Sequence, residues 1–134
     1  MSGPDAEERV NRLRLARTDQ VGAVTFYALI RRFGSAGRAL EALPDLSRRG
    51  GRLHALRPVS RAEADRELEA GHQAGGRLMV FGDRDYPPLL TAADPAPPVL
   101  WLAGHGELLC RTAIAIVGAR IASAAGQRFA RILA

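Results

Sequence analysis

The stretch RTAIAIVGARIASAAG, residues 111–126, sets the fold class. Thr112 to Val117 is a near-continuous apolar run. A central parallel strand, buried on both faces, reads this way. Gly118 breaks the run. Ser123 then stands where it can cap a helix, in which Ala125, Phe129, Ile132 and Leu133 fall at helical spacing. Strand, glycine turn and helix together predict an α/β layer. Upstream, Arg77 to Phe81 and Val99 to Ala103 read as two more strands, the second closed by Gly104. Between them lie two proline loops, Gly82–Pro88 and Asp94–Pro98, and Pro87-Pro88-Leu-Leu suits one helical turn.

The first half reads differently. Val10, Leu13 and Ala16 recur at helical spacing. After a break at Thr18-Asp19-Gln20, a second helix carries Val24, Tyr27, Ala28 and Ile30 and stops at Gly34. Ser35 caps a third, with Ala36, Ala39, Leu40 and Leu43 on one face and Pro44 just past its end. Ser47 to Pro58 reads as a loop or short helix anchored by Leu46, Leu53 and Leu56. Ser60 and Glu63 form a capping box that opens a helix through Ala74, with Ala64, Leu68 and Gly71 inward and Gly75-Gly76 at its end. The acids Glu63, Asp65, Glu67 and Glu69 on that helix read as a solvated face. The predicted organisation is a helical leader, 1–58, and the first part of a Rossmann-like parallel sheet, 59–134. A lone strand–helix unit cannot complete such a sheet, so the expectation is the N-terminal part of a longer protein.

Composition narrows the function. The 134 residues are 47% hydrophobic and 25% charged, an ordinary globular balance that excludes a disordered tail or a fibre. No apolar run reaches the roughly 18 residues of a membrane span, and the charged start shows no secretory signal, so no membrane partner is expected. The single cysteine, Cys110, cannot form an internal disulfide, which suits a reducing cytoplasm. All 19 basic residues are arginine. Residues 1–60 carry eleven of them against six acids, 61–110 four against eight, and 111–134 four with no acid. A basic, acid-free end suits a polyanion.

The candidate site is the turn after the apolar run: Gly118, Ala119, Arg120, Ser123 and Gly126. Such a turn aims backbone N–H groups at one point, and the helix dipole favours an anion there. Arg120 supplies a fork for a phosphate. The spacing is not the dinucleotide fingerprint G-x-G-x-x-G, and G-K-[ST] of the P-loop is absent. The competing reading is an ordinary strand–helix turn. Metal and nucleophile chemistry lack support: His54, His72 and His105 are scattered, Asp83 and Asp85 suit turns, and Trp101 suits a core. No catalytic residue, metal or cofactor is expected. The segment Gln20–Thr25 is similar to the hairpin of helix–hairpin–helix DNA-binding modules. Gln20 stands where that hairpin usually has a glycine, so a packing role is the reading adopted.

The blocks GDRDYPPLL (82–90), PPVL (97–100) with Gly104, and IAIVGAR (114–120) with Ser123 and Gly126 resemble the DNA-processing protein A (DprA/Smf) family. Val21–Phe26 and Arg32–Ala36 look like that family's helical leader, so the resemblance spans roughly residues 8–134. It departs at Ala124-Ala125, where family members often carry a larger residue. The resemblance implies a SAM-like leader and an extended Rossmann domain. It implies single-stranded DNA binding without sequence preference, and RecA loading in natural transformation and recombination. A homodimer in the full-length protein is implied, and no enzyme activity. It places the family's DNA-phosphate pocket at Gly118, Ala119, Arg120, Ser123 and Gly126. Two alternatives stay open. One is a nucleotide-binding Rossmann-like enzyme, such as a nucleoside monophosphate hydrolase. The other is a protein-interaction module using Arg48, Arg49 and Arg52.

Overall fold

The computed structural model describes residues 3–49 and 56–134. Arg52, Leu53 and His54 of the sequence reading lie outside them. Four helices come first: α1 (Ala6–Arg17), α2 (Ala23–Phe33), α3 (Ala36–Arg49) and α4 (Arg61–Gln73). Then follow β1 (Gly76–Val80), the single turn α5 (Pro88–Thr91), β2 (Val99–Ala103), a 3-10 turn at Gly106–Cys110 and α6 (Ala124–Leu133).

Local signals explain most element ends. Asp5 caps α1 by accepting from the Glu8 N–H at 2.7 Å. Gly34 ends α2 in the left-handed conformation, φ 82°, where a side chain would be strained. Ser60 accepts from the Glu63 N–H at 3.2 Å, and the Glu63 carboxylate accepts from the Ser60 N–H at 2.8 Å, closing the capping box. Those bonds hold the Glu63 carboxyl below its ordinary value.

Two cores result. Leu15, Phe26, Leu29, Ala36, Leu40 and Leu43 fill the first, between α1, α2 and α3. Val10 and Leu13 of α1 pack instead on Ala64 of α4 and on Leu78 and Val80 of β1, with Leu68, Val99 and Trp101 beside them. Helix α1 is therefore apolar on two sides. Its arginines bind the two cores together. Arg12 donates to the Phe81 carbonyl at 2.6 Å, and Arg9 donates to the Leu78 carbonyl at 2.7 Å and pairs with Asp83. Glu8 reaches the N–H of Ala36 with both carboxylate oxygens at 3.1 Å, capping α3 from 28 residues away.

An edge-to-face aromatic chain fills the seam. Tyr27 meets Phe26 and Phe81 at 5.4 Å, and Phe81 meets Tyr86 at 5.5 Å. The Tyr27 hydroxyl is enclosed with no hydrogen-bond partner among the described residues. Burial, and then the neighbouring Tyr86, push its pKa up to about 12 against the pull of Arg12.

Several expectations change. The strands pair antiparallel, Leu78 opposite Trp101 and Val80 opposite Val99. The described residues contain no parallel ladder. Thr112–Val117 is not a strand here, because it has no ladder partner among the described residues, and Ile114 and Val117 are 75% and 90% exposed. Helix α3 runs through Pro44 rather than stopping before it, since Leu40, Leu43, Leu46 and Ser47 keep one packed stripe across it. In α2 the buried residues are Phe26 and Leu29, not Val24 and Ala28.

Candidate nucleic-acid interface

The turn from Gly118 to Ser123 is irregular and joins an extended segment to α6. Ser123 is the N-cap: its hydroxyl oxygen accepts from the Gly126 N–H at 3.2 Å. Gln127 secures the turn, donating from Nε2 to the Ala122 carbonyl at 3.0 Å. The N–H groups of Ala124 and Ala125 meet no acceptor among the described residues. They therefore face outward at the positive end of a ten-residue helix.

Arg120 is exposed, with no ion pair or hydrogen bond among the described residues. Arg128 and Arg131 are exposed on α6. No acid follows Glu107 in the sequence, so no carboxylate from this segment offsets them. The local field is positive and open to water.

The structure brings Gly118, Ala119 and Gly126 to one groove of about 560 Å³, walled by Ile114, Val117 and Phe129. Arg120 and Ser123 lie outside that lining. A Cβ added at Gly118 would meet nothing within 4 Å, and one at Gly126 only ordinary contacts, the Ser123 hydroxyl at 3.5 Å and the Ala122 Cβ at 3.8 Å. Neither glycine is required by packing within the described residues. Their smallness matters only toward something that approaches from outside.

The other candidates take structural places. Asp83 accepts from the Val80 N–H at 2.9 Å and meets Arg9, while Asp85 pairs with Arg77 at 2.6 Å. Trp101 donates to Glu67 at 2.9 Å, and Arg17 grips the same carboxylate at 2.9 Å. Burial pushes the Glu67 carboxyl up, but these bonds outweigh it and hold it low. Cys110 is exposed. No cluster of three metal-ligating side chains occurs among the described residues. Among the described residues no helix is long and apolar enough to cross a membrane.

The hairpin between α1 and α2 forms despite its glutamine. Gln20 itself adopts the left-handed conformation, φ 62°, and Val21 donates to the Thr18 carbonyl at 3.1 Å. The sequence reading also missed the role of Glu8. No local pattern signals a carboxylate that caps a different helix.

Comparison with known families matches two models to successive stretches of the chain. A family model described as the DprA-like N-terminal HHH domain matches residues 6–70. A second, described as DNA recombination-mediator protein A, matches residues 77–134. No curated protein matches the chain.

Proposed function

The chain belongs to the DNA-processing protein A (DprA) family, whose role is DNA processing in recombination, and from that membership we propose that it binds single-stranded DNA through the turn 118–126. The observation that carries this reading is the unopposed positive charge at the α6 N-terminus. Among the described residues Arg120 is unpaired and two N–H groups lack acceptors, and the segment has no acid. Phosphate is the ligand these groups fit: Arg120 takes two of its oxygens as a fork, and the free amides take a third. Contact with phosphate alone carries no sequence information, so the proposed binding is indifferent to sequence.

The proposal extends to RecA as the protein partner, to a homodimer of the full-length protein, and to a cytoplasmic setting. It keeps residues 1–58 as a helical leader and 59–134 as the start of a Rossmann-like domain. Proposed as a binder, the protein uses no catalytic group and no cofactor.

Fluorescence anisotropy on labelled oligo-dT across a salt series tests the reading, with AMP as competitor. Binding should weaken steeply with salt and resist AMP. Arg120→Ala should weaken binding to every sequence alike and lower the salt slope by about 1. An unchanged slope would remove Arg120 from the site. Ready displacement by AMP would favour a nucleotide-handling enzyme instead.

A further inference from the structure

A second cavity, of about 390 Å³, opens at the seam between α2 and the loop after α5. Its volume is in the range of small-ligand pockets, roughly 300–1,000 Å³. Val24, Tyr27 and Arg31 of α2 stand at i, i+3 and i+7, so one helical stripe forms a wall. Phe81 and Pro95 supply further apolar lining. No residue of the 118–126 turn lines it.

The lining combines flat rings with charge. Tyr27 and Phe81 are half-buried, and Pro95 is exposed. Arg31 and Asp94 both line the cavity, both are exposed, and neither has a hydrogen bond or ion pair among the described residues. Tyr27 and Phe81 also serve the packed seam, but Val24 is 69% exposed and the two charges have no partner among the described residues. Planar apolar faces beside a free guanidinium are what a base and its phosphate need. A carboxylate at the same rim repels that phosphate, which orients the nucleotide with its phosphate toward Arg31. An aliphatic side chain from a protein would leave both charges unused.

We propose that this cavity takes one base of the bound single strand, laid against the lining formed by Tyr27, Phe81 and Pro95, with its phosphate on Arg31. The inference rests on the single-stranded DNA reading and adds a second anchor on the helical leader. Two anchors on one strand raise the effective concentration of each for its nucleotide.

The test uses the 134-residue chain and an oligonucleotide carrying one 2-aminopurine, whose fluorescence falls on stacking. Anisotropy and quenching are read together. The chain should bind and quench. Val24→Glu places a carboxylate in the cavity at an exposed position, so folding is preserved. That variant and Arg31→Ala should each weaken binding about five-fold or more and abolish the quench, the loss expected for one stacked base. Arg120→Ala should weaken binding and leave the residual complex quenched. Wild-type affinity, or a retained quench, in both cavity variants would overturn the inference while the turn site stands. Full displacement of the strand by an equimolar deoxynucleoside monophosphate would also overturn it. No binding of any oligonucleotide by the unaltered chain would overturn this inference and the proposed function together.

Discussion

The last two dozen residues are richer in apolar side chains than the first hundred, yet theirs are the ones left exposed. Leu13 and Leu15 are fully buried, while Ile121 is 95% exposed and Ile132 74%. The difference is not in the side chains. Helix α1 meets α3 on one side and α4 with β1 on the other. The 112–117 segment and α6 face each other across a groove. Hydrophobicity marks which residues gain from burial, and only a facing surface delivers the gain.

The sharpest way to break this comparison is a matched pair of truncations. Leu13→Ala should lower unfolding free energy by about 2–5 kcal/mol, since it leaves a hole between α1 and the β-hairpin. Ile114→Ala should change it by less than about 0.5 kcal/mol, as for other exposed sites. Equal losses in urea titrations would mean that the 112–117 segment is packed in solution.

A matched pair of glycines sharpens it further. A Cβ at Gly71 would fall 2.2 Å from the Trp101 ring, so Gly71→Ala must displace the indole. The expected cost is about 1–3 kcal/mol. Trp101 is the only tryptophan, so its emission should report the shift directly. Gly126→Ala meets open space and ordinary contacts, and should stabilise α6 by about 0.5–1 kcal/mol through helix propensity. Circular dichroism of α6 helicity checks that sign.

The smallest effect concerns the seam. Because the folded-state pKa of Tyr27 is raised from 10.0 to about 12, its contribution to stability is fully present below pH 10 and is lost as pH rises toward 12. The chain has no lysine and two tyrosines, so few other groups titrate in that window. Tyr27→Phe should flatten the alkaline limb of a stability–pH profile. At pH 7 it should be neutral or slightly stabilising, because the hydroxyl it removes has no partner. A clear loss at pH 7 would show that the hydroxyl is bonded in solution.

Element ends were the most legible part of the sequence. Gly34, the Ser60–Glu63 box, Gly104 and Ser123 act on neighbours within a few residues, and all four mark boundaries in the structure. Which face packs was harder to read. Helix α2 carries Ala-Val-Thr-Phe-Tyr-Ala-Leu-Ile, and a segment apolar nearly all round does not say which stripe faces inward. Pro44 was misread because its cost is local while the stripe that outweighs it is tertiary. Strand sense was illegible for a similar reason: the chain between β1 and β2 is long enough for either connection. At the turn, the Ser123 cap was legible. The groove joining Gly118 to Gly126 was not, since it depends on how the extended segment lies against α6.

The double-sided α1 has a consequence during synthesis. It leaves the ribosome before every element it packs on. The partners of Leu15 arrive by Leu43, but Leu78 is 65 residues behind Leu13. At roughly 5–20 residues per second, the Val10–Leu13 side waits about 2–7 s longer for its strand than the Leu15 side waits for its partners. For that interval the nascent chain presents a greasy helix edge flanked by arginines, and a chaperone that reads such edges would engage here first.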